Sequence, residues 1–153
     1  MRKTWVVVVD ERDALVYEAA ARKSLPFELK HTLKNDADGP DRELESDRPG
    51  RAFSSSTGQR HGIDGERSTR RSLQEAFARQ VAAFVEHGRR TGEFRQLVIV
   101  AGARMLGLLR AALSDASRNI VVAEITKDVV HHDEPKIRAL VPRETWLPPL
   151  DFR

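Results

Sequence analysis

The chain has 153 residues, of which 40% are hydrophobic and 32% charged, and its net charge is +3. This composition is typical of one globular domain and excludes a membrane-spanning segment, because no run of about 18 apolar residues occurs. The absence of cysteine excludes disulfides, thiolate metal sites and cysteine nucleophiles. The first apolar run ends at Val9, too early for a secretion signal, so we expect a cytoplasmic protein.

The first part of the chain predicts three strands in an antiparallel meander. Residues 5–9 are an unbroken apolar run rich in valine, typical of a strand that is buried on both faces. After a polar turn, residues 14–20 continue as a second strand, although their alanines also permit a helix. Beyond Pro26, residues 27–33 alternate, with apolar side chains at positions 27, 29 and 33. This alternation predicts a third strand with one solvent-facing side.

A helical period begins after residue 68. Ser72 and Glu75 have the spacing of a capping box, which predicts a helix start near Ser72, although the preceding arginines permit an earlier one. Gly88 and Gly92 are predicted to mark the exit from this helix. The apolar residues that recur at three and four positions are Leu73, Phe77, Val81, Phe84 and Val85.

The remaining chain alternates between strands and helices. Residues 97–100 and 120–125 are predicted strands, separated by a helix that begins after a small-residue turn. A short helix is expected at residues 135–140. The tail, residues 142–153, is rich in proline and is expected to be extended, with Trp146 and Leu147 packed on the core or on a protein partner.

The predicted order is β-β-β-α-β-α-β-α in a single domain, residues 1–153. A strand–helix–strand unit within one sheet crosses over right-handed, which makes the fourth and fifth strands parallel. We therefore expect an α/β (α+β) fold with a mixed five-stranded sheet of the ribonuclease H-like kind. A long basic insert, residues 46–66, is expected after the third strand.

Several motifs resemble the host-attachment protein family, whose members are described as bacterial relatives of the archaeo-eukaryotic release-factor central domain. They are residues 6–10, SDRPGR at residues 46–51, Arg60 with His61, Phe77 with Ala78, LVIVAGARMLGLLR at residues 97–110, and Lys127 with Asp128. The resemblance implies a fold like release-factor domain 2 and a link to translation.

A Gly-Gly-Gln motif precedes the long helix of the release-factor domain. In this chain Gly58 and Gln59 follow Thr57, and we expect about ten residues between Gln59 and the helix. The motif is broken, so the resemblance does not imply peptidyl-tRNA hydrolysis.

The insert and the start of the long helix carry an excess of arginine. Residues 47–71 contain six arginines against three acidic residues. The planar guanidinium matches two phosphate oxygens at once, and arginine-rich segments are common RNA-binding elements. The alternative interpretation is a solvated loop. The predicted phosphate- or RNA-binding residues are Arg48, Arg51, Arg60, Arg67, Arg70 and Arg71.

No metal site or cofactor site is predicted. Asp10 ends the first strand, where ribonuclease H-like nucleases place a metal-binding carboxylate, but no carboxylate follows the fourth strand. Asp10, Lys127 and Asp128 are instead expected to border the site of the insert. Gly102 is interpreted as permitting a tight turn, and Gly107 as permitting close helix packing.

Three classes of function remain open from the sequence. The first is a non-metal domain that binds RNA or the ribosome through the insert. The second is a hydrolase of an ester or phosphoester, with His61 as general base and Gln59 positioning water. The third is a protein-interaction factor linked to host-cell attachment, which would bind its partner through the C-terminal tail, residues 146–152, or through the sheet edge.

Overall fold

The computed structural model describes residues 3–19, 26–35 and 62–146, and for residues 62–64 and 66 it describes only the backbone. The predictions for Arg48, Arg51, Gln59, Arg60 and His61 lie outside this part. So does the prediction for residues 147–153. The strands are β1 (Thr4–Val9), β2 (Asp13–Ala19), β3 (Glu28–Lys34), β4 (Gln96–Ala101) and β5 (Val121–Thr126). The helices are α1 (Gly62–Arg90), α2 (Ala103–Ala112), α3 (Asp115–Asn119) and α4 (Glu134–Leu140), followed by the 3-10 turn Arg143–Thr145.

The five strands form one mixed sheet in the order β3-β2-β1-β4-β5. β1 pairs antiparallel with β2 and parallel with β4, β2 pairs antiparallel with β3, and β4 pairs parallel with β5. This arrangement confirms the predicted fold class. β1 lies at the centre of the sheet, and all six of its residues are buried, as its unbroken apolar sequence predicts.

Each face of the sheet buries its own apolar cluster. On one face, the odd-numbered residues of β1 pack with α1 and α2, whose core residues include Phe77, Val81 and Leu106. On the other face, Val6 and Val8 pack with the segment that follows β5. The members that this segment contributes are Val129, Val130, Ile137, Val141 and Trp146.

α1 begins at Gly62, so the predicted start near Ser72 is wrong. Residues 64–72 of the helix contain no apolar side chain, and hydrophobic periodicity cannot detect a helical segment without an apolar stripe. In consequence residues 62–66 of the predicted insert belong to α1, and two residues rather than about ten lie between Gln59 and the helix.

Only one of the two glycines predicted at the helix exit has that role. Gly92 follows the helix with a φ of +76°, a conformation that glycine adopts without cost. Gly88 lies inside α1, where a Cβ atom would be 2.5 Å from Cη2 of Trp5. Gly88 therefore permits the close approach of the helix to β1.

The third strand does not keep one apolar face. A β-bulge shifts the register between β2 and β3, so that His31 pairs with Val16 but Leu29 pairs with Tyr17. Leu33 packs on the α1 face, whereas Phe27 belongs to the opposite cluster. Leu29 is 50% exposed, so the prediction that residues 27, 29 and 33 face the same core is wrong.

The end of the described chain packs on the core. The rings of Trp146 and Phe27 meet edge to face, with centroids 5.1 Å apart, which confirms the expected core contact of Trp146. The sequence did not predict α3, whose N-cap Ser114 accepts a hydrogen bond from the backbone N–H of Ser117. Among the described residues, no helix has the length and apolar character needed to span a bilayer.

Candidate nucleic-acid interface

Four strand ends meet at one edge of the sheet. β1, β4 and β5 are parallel, and β3 runs in the same direction because β2 is antiparallel to both of its neighbours. The residues that follow these strands are Asp10, Asn35, Gly102 and Lys127. Ligands of open α/β sheets bind at the carboxyl ends of strands, and this edge is therefore the first place to look for a site.

α1 extends past this edge. The helix runs antiparallel to β1: Gln74 donates a hydrogen bond to Glu11 just beyond the end of β1, and Gly88 contacts Trp5 near its start. From Gln74 to Gly88 the helix spans roughly 21 Å, and from Trp5 to Glu11 the strand spans roughly 20 Å. The two lengths agree, so residues 62–72 form a helical segment that projects about 16 Å beyond the sheet.

Three arginines occupy one side of the projecting segment. Arg67, Arg70 and Arg71 precede Gln74 by seven, four and three positions, so they share a side of the helix with Gln74. Gln74 and Ala78, one turn further along, are buried against the sheet. The arginines therefore continue the core-facing stripe of α1 into the space in front of the sheet edge. We call these three exposed residues the arginine face.

The arginine face is available to a ligand. None of its members forms an ion pair or hydrogen bond with another residue of the described part of the chain. Every side chain that the structure describes within residues 62–72 is exposed, and none is apolar, so this segment buries no apolar face against the sheet. By contrast, Arg79 lies on the outward side of the same helix.

Asp10 holds the turn between β1 and β2. Its Oδ1 accepts hydrogen bonds from the backbone N–H groups of Arg12, at 2.8 Å, and Asp13, at 2.7 Å. Its Oδ2 lies 3.8 Å from Nε2 of His131, whose side chain is 81% exposed. Asp10 thus lies at the sheet edge, where it shapes the turn that contacts α1.

Lys127 and Asp128 leave β5 at the same edge. The backbone N–H of Lys127 donates to the carbonyl of Ala101 at 3.0 Å, and both side chains are exposed. The structure thus brings Asp10, Lys127 and Asp128 to the edge from which the arginine face projects. Within residues 3–19, 26–35 and 62–146, no group of three or more histidine or acidic side chains could hold a metal ion.

At two glycine positions of α2, Gly102 and Gly107, a larger residue would meet no steric clash. Gly102, the N-cap, has a φ of −62° and a ψ of 161°, which any residue adopts. A Cβ atom at either Gly102 or Gly107 would have no other atom within 4 Å. The interpretations of Gly102 as a tight-turn residue and of Gly107 as a close-packing residue are therefore wrong. Gly102 leaves the start of α2 open at the sheet edge, beside the exposed Arg104.

The structure adds two buried polar residues to those that were predicted from the sequence. Asn35 and Gln74 are both 8% exposed, and both bind the turn after β1. Gln74 occupies a helix position that the apolar spacing reserves for the core, which is a sequence signal for a buried polar contact. Asn35 lies in a segment rich in aspartate, glycine and proline, where no such signal exists.

The family model described as "Protein required for attachment to host cells" matches residues 5–141. The chain belongs to this host-attachment family. The predicted family is therefore confirmed. No curated protein matches the chain.

Two solved structures match this chain, and the first of them shows a similarity of fold. A structure titled "Archaeal protein" is 7% identical, with a TM-score of 0.51, and the match covers 94% of this chain and 34% of that one. An archaeal translation termination factor is 8% identical, with a TM-score of 0.44, and the match covers 84% of this chain and 31% of that one. This chain of the host-attachment family thus spans about a third of each structure.

Proposed function

We propose that this member of the host-attachment family is an RNA-binding domain that associates with the ribosome. The observation that carries the proposal is the arginine face: three exposed arginines on the core-facing stripe of α1, beyond the end of the sheet. A row of guanidinium groups on a rigid helix matches a chain of phosphates, because each planar fork donates two parallel hydrogen bonds to one phosphate.

The spacing of the arginines favours a strand that runs along the helix. Arg67 and Arg71 are separated by about 6 Å along the helix axis, so they would contact different phosphates of one strand. Arg48, Arg51 and Arg60 belong to residues 36–61, which leave the described chain at the sheet edge and rejoin it at the start of α1. These arginines would extend the same positive surface.

Residues next to the arginines in sequence would contact the parts of the RNA beside its phosphates. Gln59 and His61 directly precede α1 in sequence and offer an amide and an imidazole to the group that is recognised. Lys127 borders the site from the end of β5. The likeness of the SDRPGR and LVIVAGARMLGLLR motifs to a family related to release factors favours ribosomal RNA as the target.

The test is co-sedimentation with ribosomes at increasing salt. One variant replaces Arg67, Arg70 and Arg71 by alanine, and a matched control replaces Arg79, Arg95 and Arg143, which are exposed elsewhere and carry the same total charge. We expect salt-sensitive binding that the first variant loses and the control keeps, because counterion release depends on phosphate contacts rather than net charge.

Two outcomes would overturn the proposal. One is binding that does not change with salt, and the other is equal loss in the two triple variants. A further triple variant, with Arg48, Arg51 and Arg60 replaced by alanine, measures the contribution of residues 36–61. If the proposal holds, this variant also binds more weakly. The slope of log affinity against log salt concentration should fall by roughly 0.7 for each single-strand phosphate contact that is removed.

A further inference from the structure

A polar junction joins the residues on either side of positions 36–72, the part of the chain that contains the six predicted phosphate-binding arginines. The backbone N–H of Asn35 donates to the carbonyl of Arg12 at 2.8 Å. The side-chain amide of Asn35 donates to the carbonyls of Glu11, at 3.1 Å, and Leu73, at 3.4 Å. Nε2 of Gln74 donates to the carboxylate of Glu11. We call Glu11, Asn35, Leu73 and Gln74 the basal junction.

The basal junction lies at the base of the projecting part of α1. Asn35 is the last described residue before residues 36–61, and Leu73 directly follows the projecting part of α1. Every predicted phosphate-binding residue, from Arg48 to Arg71, lies between these two contacts. The turn to which both ends are bound is itself held by the carboxylate of Asp10.

We infer that Asn35 and Gln74 are positioning residues that set the direction of the projecting part of α1, which carries Arg67, Arg70 and Arg71, for its ligand; this inference rests on the proposed RNA-binding function. The hydrogen bonds of Asn35 and Gln74 tie α1 to the turn after β1 at the base of this part of the helix. A binding element that is already held in place loses less entropy when its ligand binds. The residues act through the arginines and touch no phosphate themselves. Loss of the junction therefore weakens binding without changing the number of phosphate contacts.

The donor character of the two amides gives a sharp variant. Asn35→Asp keeps the shape of the side chain but removes both N–H donors, and it places a carboxylate against two carbonyl oxygens. Gln74→Met keeps the length of the second side chain and removes its hydrogen bond to Glu11. Asn119→Asp is the matched control, because Asn119 is exposed on α3, away from the junction.

The first readout is the affinity for a short, fluorescein-labelled single-stranded RNA at several salt concentrations. We expect Asn35→Asp and Gln74→Met to weaken binding roughly tenfold with an unchanged salt slope, which identifies positioning rather than contact. Arg71→Ala should lower the slope by about one contact. A slope that falls in the junction variants, or affinities equal to wild type in both, overturns the inference.

The second readout needs no RNA. Trypsin cleaves after arginine, so its rate at Arg67, Arg70 and Arg71 reports how firmly the projecting segment is held. We expect faster cleavage in Asn35→Asp and Gln74→Met than in Asn119→Asp. The urea midpoint of unfolding is measured for every variant, because it separates a local change in the helix from a loss of global stability. If wild type does not bind RNA, the proposed function fails, and this readout still decides whether the junction holds the segment. Unchanged cleavage overturns the inference alone.

Discussion

The two ends of α1 place the same side of one helix in opposite surroundings. In the C-terminal half, Phe77, Val81 and Val85 are buried against the sheet, and Gly88 admits the ring of Trp5, which stacks on Phe94 with centroids 4.3 Å apart. In the N-terminal part, the equivalent stripe carries the arginine face. The change occurs at Gln74, where the helix passes the edge of the sheet.

This difference assigns two roles to two parts of α1: the C-terminal half stabilises the fold, and the projecting N-terminal segment is the proposed binding surface. Apolar area that is removed from water stabilises the C-terminal half, and the projecting segment is helical because the helix behind it is already formed. Substitutions at one end should therefore change the free energy of unfolding, and substitutions at the other should change affinity. Single and triple substitutions along the helix test that separation, in order of decreasing effect on stability.

Gly88→Ala should have the largest effect. A methyl group at this position would lie 2.5 Å from Trp5, whose ring is held between Phe84 and Phe94, so the helix or the ring must shift. We expect a destabilisation of about 1–3 kcal/mol, measured by urea unfolding. The control is Gly107→Ala, where the space is open and alanine stabilises a helix. Equal effects of the two substitutions would show that close packing at Gly88 is unimportant.

Glu86 connects the C-terminal end of α1 to α3. Hydrogen bonds from Arg89, Ser117 and Ser114 lower the pKa of Glu86 from its ordinary value of 4.5 to about 2. A carboxyl group with a lowered pKa stabilises the fold when it is ionised. Its contribution is present above pH 4.5 and is lost as the pH falls towards 2.

Glu86→Gln should therefore destabilise the protein at neutral pH by less than Gly88→Ala does. The difference from wild type should shrink between pH 4.5 and pH 2, because protonation removes the same charge from wild type. Urea unfolding over this pH series measures the difference. Glu93→Gln, at an exposed position after the helix, is the control. A difference that stays constant with pH would rule out the ionised carboxylate as the cause.

Hydrophobic periodicity predicted the buried elements and missed features that depend on contacts distant in sequence. The valine run of β1 and the apolar spacing of α1 after Leu73 each identify their element, because burial selects the residue type at every position. The start of α1 at Gly62 follows from neither signal. A capping-box spacing at Ser72 and Glu75 competed with it, and residues 64–72 contain no apolar side chain that extends the stripe backwards.

The sequence predicted the positive charge of the candidate site but not the arrangement of its residues. The arginine content of the sequence indicated Arg67, Arg70 and Arg71 as phosphate-binding residues. Their position in front of the sheet edge follows only from the way α1 packs on the sheet. The register shift opposite Val16 and Tyr17 turns Leu29 away from the core, and a one-residue shift leaves no local trace in sequence. Asn35 acquires its role through contacts with Glu11 and Leu73, which no local pattern encodes.

Gly65→Ala tests the projecting end of α1 with the same change that Gly88 receives at the other end. A Cβ atom at Gly65 would have no other atom within 4 Å. We expect a stabilisation of up to about 0.5–1 kcal/mol, because alanine lowers the entropy of the unfolded chain and favours the helix. Urea unfolding and the helical signal in circular dichroism measure it. A loss of stability would show that the projecting segment packs against other residues, which would break the contrast between the two ends.

Replacing Arg67, Arg70 and Arg71 together by alanine should have the smallest effect on stability and a large effect on binding. Exposed side chains contribute within about 0.5 kcal/mol each, and alanine is a good helix former, so the urea midpoint should stay close to that of wild type. In the same samples, ribosome co-sedimentation should be lost. If the triple variant unfolds at clearly lower urea, the arginines belong to the folded core of the protein, and the loss of binding would no longer identify a contact surface.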